Sequence, residues 1–209
     1  MPKVSVVVPV YNVADYLREC MDSLVRQTLR EIEIICVNDG STDSSLKILR
    51  EYAETDPRII LIDQENGGYG KAMNTGIDRA SGEYLGIVEP DDFVRLTMFE
   101  DLYRAAEENR LDLVKADFDR FVTGSDGERT FTRIRLSPRP ADYGRVFRPV
   151  DEKESFFFVM NTWAGIYRLS FLREYGIRHH ETPGASFQDN GFWFQTFLYA
   201  ERVMILDVP

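Results

Sequence analysis

Apolar residues follow two different spacings in the first half of the chain. Short apolar runs, rich in β-branched residues, predict buried strands at residues 3–8, 33–37, 58–62, 84–88 and 113–116. Between these runs apolar residues recur every three or four positions, as in the stripe from Leu17 to Leu24, which predicts amphipathic helices. Strands that alternate with helices through short loops favour a parallel sheet with right-handed crossovers. The pattern therefore predicts an α/β fold with a mostly parallel sheet and helices on both faces.

The alternation ends after Asp117. Residues 118–136 are expected to form a hairpin around the turn 124–127, and the stretch 138–149, with its prolines and arginines, is expected to be a loop. Helices are predicted at 151–160, 169–175 and 190–200, followed by a last strand at 203–208. Because the chain has 209 residues and no internal repeat, we expect a single domain.

The net charge argues against a general nucleic-acid binder. It is −10, whereas a general nucleic-acid binder needs a basic face for the phosphate backbone. Cys20 and Cys36 fall in a predicted helix and a predicted strand, which indicates buried free thiols and a reducing compartment. No apolar run approaches the ~20 residues of a membrane span, and the N-terminus leads into a strand without a signal peptide. We therefore expect a cytoplasmic protein, with attachment to the inner face of a membrane left open.

Polar and glycine-rich segments follow the first four predicted strands. In an open α/β sheet the carboxyl ends of parallel strands share one edge, where ligands bind. Glycine-rich loops bring backbone N–H groups close to phosphate, and clustered carboxylates suit a divalent cation that also contacts phosphate oxygens. The candidate ligand-binding residues are Pro9, Tyr11, Asn12, Asp39, Asn66, Gly67, Lys71 and Asp91. The candidate metal ligands are Glu89, Asp91 and Asp92, so this edge predicts a site for a nucleotide diphosphate and a divalent ion.

Several of these residues also have a purely structural interpretation. Asn12 is a good helix N-cap, Tyr11 suits packing at the rim of a core, and Lys71 suits a solvated helix. Asp43, close to Asp39, suits an Asx-turn or a helix cap. The adjacent pair His179 and His180 is expected to be structural or solvated. A basic island suits an anionic acceptor, a membrane surface or simply a solvated loop, and it comprises Arg133, Arg135, Arg139, Arg145 and Arg148.

Four segments taken together resemble family 2 glycosyltransferases of the GT-A fold. They are VVVPVYN at 6–12, VNDGSTD at 37–43, NGG at 66–68 with Asn74 and Gly76, and GEY with EPDD between 82 and 92. The resemblance covers about residues 3–208, and the motifs are specific in combination although each is weak alone. It implies a Rossmann-like sheet in which about residues 1–117 bind a nucleotide sugar. About residues 118–209 would form an acceptor-side half of helices and a hairpin.

The resemblance also implies a reaction and a role for individual residues. Such enzymes transfer a sugar from a nucleotide diphosphate sugar, usually UDP-linked, with inversion at the anomeric carbon. The acceptor would be a hydroxyl group of a growing polysaccharide or a lipid-linked glycan. By this resemblance Asp39 contacts the uracil or ribose, Asp91 is the last acid of the DxD motif that holds Mn²⁺ or Mg²⁺, and Asp189 is the catalytic base. The segment 161–163 resembles an acceptor-side segment that often carries tryptophan.

Three positions depart from the family pattern. Glu89 stands for the first acid of the DxD motif, Met73 stands where many members have arginine, and Gln188 replaces a glutamate before Asp189. Members commonly continue past the last strand, which leaves open a catalytic module without its C-terminal segment. Two other functions remain open: an inactive nucleotide-sugar-binding module, and a nucleotidyltransferase. The latter normally has a basic glycine-rich loop after the first strand, where this chain has residues 9–12.

Overall fold

The structure is a computed structural model that describes residues 1–182 and 187–208. Its strands are β1 (Val4–Val10), β2 (Ile32–Asp39), β3 (Ile59–Gln64), β4 (Tyr84–Ile87), β5 (Leu113–Ala116), β6 (Phe118–Thr123), β7 (Arg129–Ile134), β8 (Gly165–Arg168) and β9 (Val203–Leu206). Its α-helices are α1 (Ala14–Val25), α2 (Ser45–Thr55), α3 (Tyr69–Arg79), α4 (Met98–Asn109), α5 (Leu169–Glu174) and α6 (Asn190–Tyr199).

A mostly parallel sheet forms the centre of the molecule, which confirms the predicted α/β class. Within the described residues it has seven strands in the order β3-β2-β1-β4-β8-β5-β9. β1 pairs in parallel with both β2 and β4, and every residue of β1 and β2 is buried. Continuous apolar runs form such strands because helices cover both faces of a parallel sheet. The arrangement brings the carboxyl ends of β1, β2 and β4 to one edge.

The two faces of the sheet carry separate apolar layers. Alternate side chains of β1 point to opposite sides, so Val6 and Val8 join a core with α1, α2 and α4. Val7 joins the opposite core, which contains residues of α3, α5 and α6. Met73, at the position where the family often has arginine, is fully buried in this second core. It therefore packs beneath α3 and does not line a ligand site.

The second half of the chain differs from the prediction in two places. β8 was not predicted, and it enters the sheet antiparallel to both β4 and β5. The predicted helix at 151–160 is a short 3₁₀ helix, Lys153–Phe157, after another short turn at Pro149–Asp151. The hairpin is confirmed: β6 and β7 pair antiparallel, with Phe121 opposite Phe131. The helices near 169–175 and 190–200 and the last strand near 203–208 are also present.

Candidate active site

A cavity of about 620 Å³ opens at the edge where β1, β2 and β4 end. Seven of the residues predicted for ligand or metal binding line it: Pro9, Tyr11, Asp39, Asn66, Gly67, Glu89 and Asp91. Asn12, Lys71, Asp92 and Asp189 are not among its lining residues. The topology therefore brings three segments into one space, as the sequence predicts. They are the end of β1, the glycine loop (residues 66–68) and the acidic turn after β4 (residues 89–92).

Asp39 shapes the glycine loop. Its carboxylate is buried and accepts hydrogen bonds from the side chain of Gln64 at 2.7 Å and from the backbone N–H groups of Gly67 and Gly68 at 3.0 and 2.8 Å. The Asn66 side chain donates to the Asp39 carbonyl oxygen at 3.0 Å. Gly68 has φ +88°, a conformation that L-residues rarely adopt, immediately before α3 begins. Asp39 thus fixes the loop that leads into this helix.

Asn12 and Asp43 fasten the loops at the mouth of the cavity. Asn12 was expected to cap α1, but it has φ +53°, and its side-chain oxygen accepts from the backbone N–H of Thr42 at 2.7 Å. Val13 occupies the N-cap position instead. The cap of α1 comes from Asp43, whose carboxylate accepts from the backbone N–H of Ala14 at 3.0 Å. The structural interpretation of Asp43 is therefore the right one, and Asn12 contributes by holding this loop.

Tyr11 and Lys71 lie at the outside of the site. The Tyr11 side chain is 50% exposed at the cavity rim. Lys71 is exposed in the first turn of α3, and its aliphatic stem lies so close to Gly67 that a Cβ there would be 2.2 Å from the lysine Cδ. Their roles toward a ligand stay predictions.

The three acids after β4 lie in different environments. The Tyr69 hydroxyl donates to Glu89 Oε1 at 2.7 Å. Burial, reinforced by the charges of Asp91 and Asp92, raises the pKa of Glu89 to about 7, although the bond from Tyr69 opposes this shift. Asp91 is exposed in the cavity, whereas burial and the Asp91 charge raise the pKa of the half-buried Asp92. Across residues 1–182 and 187–208 no three His, Cys, Asp or Glu side chains converge as a metal cage.

Asp189 lies at the N-cap position of α6, yet its side chain makes no capping hydrogen bond. Burial raises the pKa of the Tyr167 hydroxyl, and the nearby charge of Asp189 raises it further. The charge of Asp189 also contributes, after burial and closer groups, to the raised pKa values of Tyr69 and Glu89. The charge of Asp189 therefore reaches Tyr69, Glu89 and Tyr167, although Asp189 does not line the cavity itself.

A buried lysine supports the segment that resembles an acceptor-side motif. Lys115 is 1% exposed, and its ammonium donates to the carbonyl and side-chain oxygens of Asn161 at 2.7 and 2.5 Å. Burial lowers its pKa well below the usual value. The Tyr167 hydroxyl donates to the Thr162 carbonyl oxygen at 2.8 Å, and Trp163 meets Phe118 edge-on at 4.6 Å. The sequence signal for this support was a lysine inside the apolar strand β5.

The arginine island is neutralised by neighbouring carboxylates. Each of its five members lies within 4.0 Å of at least one acidic side chain, as in the pairs Arg133–Asp117 and Arg135–Asp207. Of the three interpretations left open, the structure favours a paired, solvated surface over a free anion-binding patch. Both histidines follow the structural expectation: His179 is 3% exposed and His180 is exposed.

The chain belongs to glycosyltransferase family 2. The family model for glycosyl transferase family 2 matches residues 5–176. EpsJ of Bacillus subtilis strain 168, described as an uncharacterized glycosyltransferase, is 39% identical over 208 residues, which is 99% of this chain and 59% of EpsJ. Glycosyltransferase GlyG of Streptococcus pneumoniae is 43% identical over 217 residues, covering 98% of this chain and 68% of GlyG.

A solved structure of the same architecture is S. aureus TarS 1–349 in complex with UDP. It superposes with a TM-score of 0.80 at 26% identity, over 99% of this chain and 58% of the TarS fragment. The same fragment in complex with UDP-GlcNAc gives a TM-score of 0.79 at 25% identity over 99% of this chain and 56% of that fragment. The chain thus spans about three fifths of the length of EpsJ and TarS 1–349. Among the residues described here, no helix is long and apolar enough to cross a bilayer.

Proposed function

We propose that this chain is an inverting glycosyltransferase that moves a sugar from a UDP-sugar to a hydroxyl group of a saccharide acceptor. The observation that carries the proposal is the shared cavity in which the glycine loop held by Asp39 meets the acidic turn at Asp91. The UDP and UDP-GlcNAc complexes of TarS support a UDP-linked donor. About residues 1–117 provide the donor side, and about residues 118–209 provide the acceptor side.

The donor side combines a buried anchor with groups suited to a diphosphate. Asp39 fixes Gly67 and Gly68 ahead of α3, and the positive end of the helix dipole favours anions there. Pro9, near the end of β1, lines the cavity, and Tyr11, directly after β1, has a half-exposed ring available to pack against the base. Lys71, in the first turn of α3, is a cation beside the same loop.

The acidic turn fits a divalent cation held jointly by the protein and the donor. Mg²⁺ and Mn²⁺ are commonly bound by one or two carboxylates plus substrate phosphates and water, so a three-carboxylate cage is not needed. Asp91 is the exposed carboxylate in the cavity, with Asp92 next to it and Glu89 bonded to Tyr69. When bound, Mn²⁺ or Mg²⁺ would neutralise charge on the leaving diphosphate. Asp91 is then the expected principal ligand, and Glu89 or Asp92 the helper.

Asp189 is the proposed general base. Asp189 is half-buried, and its side chain makes no capping hydrogen bond to α6. An acceptor hydroxyl must lose its proton as the bond between sugar and phosphate breaks, and a base within hydrogen-bond distance takes it. The edge-on Trp163–Phe118 pair next to the Lys115-supported turn offers an aromatic surface on the acceptor side.

The substitution Asp189→Asn tests this assignment. It preserves shape and polarity but cannot accept the proton, so the variant is expected to melt near wild type and to bind UDP normally. Its rate of UDP release from a UDP-sugar in the presence of saccharide acceptors is expected to fall roughly 10²–10⁴-fold. Asp126→Asn, which changes an exposed carboxylate in the β6–β7 turn, is the matched control. Transfer at the wild-type rate by the Asp189 variant would refute the role of Asp189 as base.

UDP release by the wild-type protein distinguishes the proposed enzyme from an inactive nucleotide-sugar-binding module. An enzyme releases UDP from at least one UDP-sugar, slowly with water and faster with its acceptor. A folded protein that binds UDP in calorimetry but releases none from a panel of UDP-sugars and saccharides would contradict the proposed transfer reaction.

A further inference from the structure

The first turn of α3 is hydrogen-bonded to the segment that precedes Asp189. The backbone N–H of Gly70 donates to Gln188 Oε1 at 2.6 Å, and the Gln188 side chain is 1% exposed. The Gln188 amide nitrogen donates to the carbonyl oxygen of Thr182 and, at 3.2 Å, to its hydroxyl. A single buried amide therefore links Gly70 of α3 to Thr182.

The surrounding backbone makes this junction tight. A Cβ at Gly70 would lie 1.9 Å from the carbonyl oxygen of His180, so only glycine allows α3 and this segment to approach so closely. His180 donates its backbone N–H to the Gln188 carbonyl oxygen at 3.1 Å. One turn farther along α3, the Asn74 side chain accepts from the His179 N–H at 3.0 Å and donates to its carbonyl oxygen at 2.9 Å. His179 and Gln188 are thus fixed to α3 at two successive turns.

The chemistry of the junction explains which atom of Gln188 matters. Gly70 is in the first turn of α3, where backbone N–H groups have no partner inside the helix. An oxygen acceptor from another segment satisfies such a group, and the positive end of the helix favours a carboxylate as well as an amide there. A glutamate would keep this acceptor, whereas a methionine of similar length would leave the Gly70 N–H unpaired in a buried place.

We propose that Gln188 is a positioning residue that sets Asp189 relative to the donor pocket through its bond to Gly70. At one end Gly67 and Gly68 are held by Asp39, and two residues later Gly70 is held by Gln188, directly before Asp189. The donor loop and the proposed base are therefore placed by one short series of hydrogen bonds. This inference rests on the proposed function, because it assigns Gln188 a role only through Asp189.

Four variants and the wild type, measured in one assay, test the inference. Gln188→Met removes the acceptor, and Gln188→Glu keeps it. Gln188→Asn stays polar but is one methylene too short to reach Gly70, and serves if the methionine variant does not fold. Thr196→Val is the matched control, because it removes a buried hydrogen bond within α6, from the Thr196 hydroxyl to the Trp193 carbonyl oxygen at 2.7 Å. The readouts are the melting temperature, calorimetric Kd for UDP, and kcat and KM for UDP release from the UDP-sugar that the wild type uses.

The expected signature is a loss of rate without a loss of donor binding. Gln188→Met or Gln188→Asn should bind UDP as the wild type does and lose about 100-fold in kcat, the scale for displacing a catalytic group by about 1 Å. Gln188→Glu should recover most of the rate. The Thr196→Val control should lower the melting temperature but leave kcat near the wild-type value. The melting temperature should fall in Gln188→Met and Gln188→Asn as well, because the buried Gly70 N–H loses its acceptor. A loss of UDP affinity in step with the loss of rate would show a purely structural role for Gln188 and would overturn the proposal.

The remaining outcomes distinguish failure of the positioning role of Gln188 from failure of the proposed glycosyltransferase function. If Asp189→Asn is inactive while Gln188→Met keeps the wild-type kcat, only the positioning role is overturned. If Asp189→Asn transfers sugar normally, the base assignment falls and the role of Gln188 falls with it. A wild type that binds UDP and releases none from any UDP-sugar overturns both the proposed function and this inference.

Discussion

His179 is a buried histidine, and its protonation destabilises the folded protein. Its imidazole stacks on Phe192 with ring centroids 4.5 Å apart and meets the Tyr69 ring edge-on at 5.6 Å. Neither ring nitrogen has a hydrogen-bond partner among the described residues. Burial, helped by the neighbouring His180, lowers the pKa of His179 from 6.5 to about 3. The perturbation that tests this account is His179→Phe, which keeps an aromatic ring of similar size and removes the titrating group.

The sign and size of the effect follow from linkage. The folded-state pKa is depressed, so the contribution of neutral His179 to stability is full above pH 6.5 and declines as the pH falls toward 3. At pH 5.5, one unit below the unfolded-state value, protonation of the unfolded chain favours unfolding by about 1.4 kcal/mol. For a chain of this size that corresponds to roughly 3–6 °C in melting temperature.

The assay is urea unfolding of wild type and variant at pH 8.0 and pH 5.5, the lower value chosen above the sequence pI of 4.8. Glu89, whose pKa is raised to about 7, contributes in the opposite direction, since its stabilisation is lost as the pH rises. For each protein the free energy of unfolding at pH 5.5 is subtracted from that at pH 8.0. The His179 contribution is the amount by which this change is larger in wild type than in His179→Phe. His180→Asn, at the exposed second histidine, should keep most of the wild-type change. Equal changes in wild type and His179→Phe would refute a neutral, buried His179.

Two further predictions concern the donor site. Asp39→Ala removes the carboxylate that holds Gly67 and Gly68 and that is proposed to contact the uracil or ribose; loss of that contact costs roughly 1.5–3 kcal/mol, so UDP affinity of a folded variant should fall about tenfold or more. An unchanged calorimetric Kd would count against a contact between Asp39 and UDP. Removal of divalent ions with EDTA, and separately Asp91→Asn, should lower affinity for the UDP-sugar, because a divalent ion relieves the repulsion among the clustered acids. Unchanged affinity and turnover in EDTA would exclude a metal requirement.

The sequence by itself determined the architecture of the first half of the chain. A continuous β-branched run such as Val4–Val10 places apolar side chains on both faces of a strand, so helices must cover both faces of the sheet. The amphipathic stretches that alternate with these runs provide those helices. Parallel pairing then forces the segments after β1, β2 and β4 to one edge, so the cavity could be predicted from local pattern alone. The same reasoning correctly placed Asp39 and Asp91 at that cavity.

Only the tertiary structure decided the contacts between segments that are distant in the sequence, including the pairing of β8 and the hydrogen-bond partners of polar side chains. β8 was missed because its sequence, Gly-Ile-Tyr-Arg, has no continuous apolar run, and its place in the sheet comes from pairing with β4 and β5. Glu89 looked like a free metal ligand, yet Tyr69, twenty residues earlier, donates to it. Gln188 looked like a weakened motif position, yet its amide meets Gly70 across 118 residues of sequence. Apolar periodicity records how each segment faces the core, whereas a hydrogen bond between distant segments depends on how the whole chain packs and leaves no periodic signal.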